Sequence, residues 1–383
     1  MYENRFLIAA AVGLSLVCGA LTAHSELKAG PVHIKPSLNV SSVYDDNVFL
    51  DVDNERDDYY YEILPQFEFW LPINSSCLNL NYAYQILRFQ DFTNENDENH
   101  WLDFDGIIDL GRRFNLKISD HYRQQSDPVI IDITNRVTRK TNVADIRGIY
   151  DFNDKLAMLL GYNNTDYDYE RPLIDRSQDE YLLDIYWRLW PQVSVTAGYV
   201  RGEIDIKDTS QDAAFNRYCV GVRGQISPKL RAEARFGTEQ RDYEHPAREN
   251  LQKLYLSGTG SYRVSDTMLI QLEAERGISE AASIEHNAYI YQGVQAGVEK
   301  WLTEKVKVNL WSRYHEADFE LRVVTDSRGP RKDELWLLGA DMSYHLKNFV
   351  SIDFGYESQI NDSNFKEMDY ERNTIKAAVN LLF

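Results

Sequence analysis

The last residues of the chain, Asn373-Thr-Ile-Lys-Ala-Ala-Val-Asn-Leu-Leu-Phe383, decide the fold. Ile375, Ala377, Val379, Leu381 and Phe383 are apolar at every second position. Side chains of a strand point alternately to opposite faces, so this stretch reads as a strand with one continuous apolar face. The same period runs back through the chain. Val350, Ile352, Phe354 and Tyr356 alternate with Ser351, Asp353 and Glu357. Val306, Val308 and Leu310 alternate with Lys307 and Asn309. Leu102, Phe104 and Ile108 alternate with Asp103, Asp105 and Asp109, and Tyr61, Ile63, Phe67 and Phe69 with Glu62, Gln66 and Glu68. No stretch after the first residues carries the 3.6-residue period of an amphipathic helix.

The connections alternate as well. Eight tight turns are expected near Pro72–Ser76, Gly111–Asn115, Phe152–Lys155, Pro191–Gln192, Ser227–Lys229, Val264–Thr267, Thr303–Lys305 and Lys347–Asn348. Nine longer polar connections lie between them, from Asp45–Asp58 through Ser126–Lys140 to Ile360–Glu371. The unit is a hairpin repeat of about 38 residues. Eight turns and nine loops imply 18 strands. In hydrocarbon every backbone N–H and C=O needs a partner, and a closed barrel supplies one without edges. The expected fold is therefore all-β: a transmembrane antiparallel up-and-down barrel over residues 26–383. Short turns would lie on the side of both termini and long loops on the other. The terminal Phe383 is the expected signal to the barrel assembly machinery.

Residues 1–25 read as a signal peptide. Arg5 precedes an apolar run from Phe6 to Val17, followed by the small residues Cys18, Gly19, Ala20 and Ala23. Export and the barrel together place the protein in the outer membrane of a Gram-negative bacterium, with lipid and lipopolysaccharide as partners. Tyr and Trp near strand ends, among them Tyr44, Tyr59, Trp70, Trp101, Tyr162, Tyr181, Tyr199, Trp301 and Tyr344, are expected in the interfacial girdles.

The 383 residues hold 41 Lys+Arg and 60 Asp+Glu, a formal charge of −19. That balance excludes nucleic acid, which demands clustered cations. The three Cys exclude a disulfide scaffold, and Cys77 and Cys219 are expected as free thiols. Of the eight His, none stands in a metal-binding spacing, and no nucleophile elbow occurs. Asp103 and Asp105 share one strand face about 7 Å apart, as any alternating acidic strand would. No catalytic residue, metal or cofactor is assigned, and the chain is read as a non-enzyme.

Function then rests on the polar face. Glu62, Gln66, Glu68, Asn81, Asp103, Asp105, Arg147, Arg188, Arg217, Arg223, Arg235 and Arg313 are expected to line a hydrated lumen, which 18 strands make wide enough. The apolar face is assigned to lipid, so Arg at Ile108 or Val195 should be costly and the same change at Asn81 or Thr196 mild. If one loop folds inward as a constriction, Ser126–Lys140 is the expected one.

The first hairpin carries a resemblance. Pro36, Leu38 and Val40, the turn Asp45-Asp46-Asn47, an acidic loop, and Pro65 in the second strand resemble the opening of the putative β-barrel porin type 2 family. The resemblance implies an outer-membrane channel accompanying exopolysaccharide export machinery, with polysaccharide and export proteins as partners. The alternative is a general or substrate-specific diffusion porin for small solutes. On residue chemistry alone, Asp45-Asp46-Asn47 reads as a side-chain-stabilised turn, with cation binding the other reading.

Overall fold

A computed structural model describes residues 27–127, 136–170, 174–207, 212–244, 249–281, 286–321 and 329–383. Residues 1–25, read as a signal peptide, lie outside the described residues. Eighteen antiparallel strands of 12 to 16 residues run from Val32–Asp45 to Tyr370–Leu382, each paired with its sequence neighbours. The last strand closes the sheet on the first in the register Val379↔Val40, and the Phe383 N–H donates to the Pro36 carbonyl at 2.9 Å. A short strand, Leu27–Ala29, folds back on Val32–Ile34 through Gly30, whose φ of 62° suits glycine.

The connections divide as the sequence predicts. Eight turns of two to four residues lie on the side of both termini, and nine loops of five to thirteen residues lie on the other. Closure satisfies the backbone by geometry: no sheet edge is left for lipid to meet.

Register identifies the two faces. Arg235 donates through Nη1 and Nη2 to both carboxylate oxygens of Asp184, each at 3.0 Å, although two strands lie between them. Lys376 likewise reaches Glu62 at 2.6 Å over an intervening strand. Side chains can bridge a strand in this way only on the concave face. Gly221 lies beneath the Asp184–Arg235 bridge, where a Cβ would come within 3.1 Å of Arg235 Cγ.

The convex face is apolar. Leu160, Val220, Leu272 and Leu338 are half or more exposed. Such a surface is intolerable in water and ordinary in lipid. Toward the loops it ends in paired rings: Tyr44–Tyr59, Tyr162–Tyr181, Tyr199–Tyr218 and Tyr314–Trp336, with centroids 4.6–5.4 Å apart. Their hydroxyls turn to polar groups, Tyr44 to Asp57, Tyr162 to Asp179 and Tyr199 to Asn216. An amphipathic ring does this where hydrocarbon gives way to headgroups.

Three expected girdle residues face inward instead. Trp70 shares the face of Glu68, Trp101 that of Asp103, and Trp301 lies under Lys307, with the ammonium 5.9 Å from the ring centroid. Proximity to a strand end does not set parity; the neighbours' register does. Cys77 and Cys219 are free, Cys219 being buried.

Candidate functional site: a lumen narrowed at one end

The interior is not uniformly polar. In its loop-side half, inward positions carry apolar side chains. Val200, Ile204, Ile206, Ala213 and Phe215 form one buried cluster. Leu335 and Leu337 form another with Tyr370, and Leu87 and Phe89 a third. Assigning every apolar residue to lipid is therefore corrected: alternation is kept, but at the mouth the inward face is dry.

Two of the three clusters are dry because the first loop sits on them. Val48, 1% exposed, enters the Leu87–Phe89 cluster, and Leu50, 3% exposed, enters the Leu335–Leu337–Tyr370 cluster. Segment 46–57 thus spans interior surface from one side of its own hairpin to the other. Leu50 adopts φ 55°, unusual for a residue with a Cβ.

The Asp45-Asp46-Asn47 motif holds this loop. The Asp45 carboxylate accepts from the Asn47 N–H at 3.1 Å, the side-chain-stabilised turn read from sequence. It also takes a bidentate pair from Arg372 on the last strand, at 3.0 and 2.6 Å. Asp46 accepts from the Asn373 N–H and Nδ2, and Asn47 Nδ2 donates to the Asp51 and Glu371 carbonyls. The motif therefore ties the first loop to the last strand. Arg56 pairs with Asp51 at 2.7 Å and covers the Phe49 ring, 3.8 Å from its centroid.

Residues 128–135 of the expected constriction loop lie outside the described residues. Arg136 at its end is inserted at the mouth, 3.3 Å from Glu95 and over the Phe89 ring. Burial there pushes its guanidinium below the ordinary arginine value. The loop seen across the mouth is 46–57.

On the opposite wall, charges close the roof. Arg241, 2% exposed, donates to Glu239 and Glu280, each at 2.7 Å. Arg176 reaches the Glu280 carbonyl across four intervening strands of the sheet. Arg217 pairs with the far side of Glu239 at 2.8 Å and lies over the Tyr255 ring. One arginine between two carboxylates, all dehydrated, is stable only as a complete set.

The remaining expected lumen residues are spread along the interior wall. Glu62 is held by Ser41, Gln85 and Lys376. Gln66, Glu68 and Asn81 line a recess of about 290 Å3 near the turns, with Lys35 3.8 Å from Glu68. Asp103 accepts from His121 at 2.8 Å and Arg123 at 2.5 Å, Asp105 is 4.0 Å from His121, and Arg147 pairs with Asp145. Arg188, Arg223 and Arg313 line a larger cavity of about 1110 Å3 in the turn-side half. There Arg188 pairs with Asp151, Arg223 is 3.8 Å from Glu233, and Arg313 donates to Gln295 at 2.7 Å. Arg235 joins Glu233 at 2.9 Å and Asp184. Thr196, expected to face water, is inward but 2% exposed, so it is wall packing and no longer a mild site.

Sequence reasoning missed the roof triad and the seated loop. The loop had a signal: Val48-Phe49-Leu50 is an apolar run inside an acidic connection.

Solved structures of similar fold include Pseudomonas aeruginosa OpdK with vanillate, at 11% identity over 91% of this chain and 99% of that one, TM-score 0.47. P. aeruginosa OccK2 (OpdF) in complex with glucuronate matches at 12% identity over 91% and 98%, TM-score 0.47. P. aeruginosa OccK9 (OpdG) matches at 13% identity over 91% and 98%, TM-score 0.48. No protein of curated function matches the chain. A porin-type barrel of this kind resides in the outer membrane of a Gram-negative bacterium. The family described as putative beta-barrel porin 2 matches residues 26–383, and the chain belongs to that family.

Proposed function

We propose that the barrel is a diffusion channel for small hydrophilic solutes, narrowed at its outer mouth by segment 46–57. The observation that carries this reading is the seating of Val48 and Leu50 in two separate interior clusters. A loop docked at two points narrows the mouth, which suits small solutes and opposes a continuous polymer. The polar lining named above then serves as the wetted path, and no covalent chemistry is assigned to it.

The test is conductance of the purified barrel in planar bilayers. Wild type gives a small, stable conductance in KCl. Replacing Phe49–Asp57 with a short Gly-Ser linker raises it several-fold. Export of an exopolysaccharide, which the family resemblance implies, requires the loop to leave the mouth. A deletion strain that loses surface polysaccharide, with a purified barrel that stays closed in both forms, returns the function to that reading.

A further inference from the structure

The larger cavity has a composition that points to a ligand class. It lies in the turn-side half, and its upper end reaches Trp311 and Leu337, directly beneath the cluster that receives Leu50. Trp311 is held by its wall. Gly339 is its cross-strand partner, and a Cβ there would collide with the indole, so the ring lies against bare backbone. A flat aromatic surface is thereby fixed on the lumen wall at the cavity's closed end.

Around this ring, donors and acceptors are interspersed. Arg231, Gln271, Glu273 and Glu357 line the same cavity and have no hydrogen-bond or ion-pair partner among the described residues. Arg313 is engaged only through the Gln295 amide oxygen, at 2.7 Å. Exposed cations thus share one space with an exposed carboxylate, Glu273, and a half-buried one, Glu357. An anionic solute finds Arg231 and Arg313 but also meets Glu273 and Glu357. A cationic solute meets the reverse. A hydroxyl group both donates and accepts, so a neutral polyol satisfies all four and pairs with the amides as well. The C–H face of a sugar ring is the apolar complement to a fixed indole. A few placed polar groups around an aromatic surface are the usual anatomy of a small-molecule site.

We propose that this cavity is a binding site for a neutral sugar of one or two rings, stacked on Trp311. The proposal rests on the channel reading above and names its solute class. The seated loop is then the roof of the site, and Leu50 links solute occupancy to the mouth through the Leu337–Trp311 contact.

The experiment is current blockade in planar bilayers, with glucose and maltose as neutral probes, gluconate as anion and glucosamine as cation. The neutral sugars reduce the KCl current with saturation. Gluconate and glucosamine need at least tenfold higher concentration for half-block. Trp311→Ala raises the half-blocking concentration of maltose at least tenfold. Trp311→Phe, which keeps a ring against Gly339, raises it less than threefold, and it reports even if the alanine variant fails to assemble. A conducting barrel that no neutral sugar blocks, or that gluconate or glucosamine blocks better, overturns this inference and leaves the channel reading intact. A barrel that conducts in neither wild-type nor loop-deleted form overturns the channel reading itself.

Discussion

The two halves of the interior are built on opposite principles. At the loop end, inward positions are apolar or carry charges in closed sets, and Phe215, Arg241, Glu239 and Val48 are nearly inaccessible. At the turn end, many inward positions are polar and open, Arg231, Gln271 and Glu273 among them, beside one buried apolar cluster at Ala157, Leu159 and Tyr186. The backbone is the same antiparallel ladder throughout. What differs is water. Where loop 46–57 and the roof triad exclude it, every charge needs a fixed partner. Where water remains, charges are left available for a solute. One half therefore contributes rigidity, and the other is the half in which we propose recognition.

The largest expected effect tests that division directly. Arg241→Ala removes the cation shared by buried Glu239 and Glu280, at a cost of about 3–5 kcal/mol. Arg231→Ala in the open half should change stability by no more than about 0.5 kcal/mol. Urea unfolding of both variants in detergent or lipid measures the contrast, and equal costs would erase it.

Next in size is the outer surface, which the comparison takes to be uniformly lipid-facing. Val195→Arg should destabilise by about 2–4 kcal/mol, because the charge meets hydrocarbon, and Ile108→Arg by less, because Ile108 is next to the last residue of its strand. Asn81→Arg, at the wetted recess, should be mild. A mild Val195→Arg in the same unfolding assay would mean the face assignment is inverted.

A smaller energetic effect separates loop from barrel. Leu50→Asp places a carboxylate among Leu335, Leu337 and Tyr370. Undocking a loop is a local event, so global unfolding should move by at most about 1 kcal/mol. Conductance should nevertheless rise toward that of the loop-deleted form. An unchanged current would show that the loop does not limit flow.

The smallest effect is expected at Arg56→Ala. Its pair with Asp51 is more than a third exposed on both sides, and such pairs contribute about 0–1 kcal/mol. A large rise in conductance here would reassign the loop's anchorage from Val48 and Leu50 to this pair.

The reach of sequence reasoning follows the same boundary. The strand count, the turn positions and the closure of Tyr370–Leu382 on Val32–Asp45 were legible, because period two and turn residues are local signals. The girdle was legible at Tyr44, Tyr162 and Tyr199 but not at Trp70, Trp101 and Trp301, where only register shows the inward turn. In the candidate site, Arg235 and Arg217 were legible as inward residues, yet not their pairings with Asp184 and Glu239, which lie 51 and 22 residues away.

Alternation along each strand was enough by itself to determine that this chain closes into an 18-stranded barrel, because a two-faced strand in hydrocarbon has no other way to satisfy its backbone. Which loop sits in the mouth, which charges become dry, and where a ring meets a bare glycine were decided only by the tertiary structure. Those outcomes depend on curvature, which brings together residues such as Glu62 and Lys376, 314 positions apart. No local period in a sequence encodes that distance.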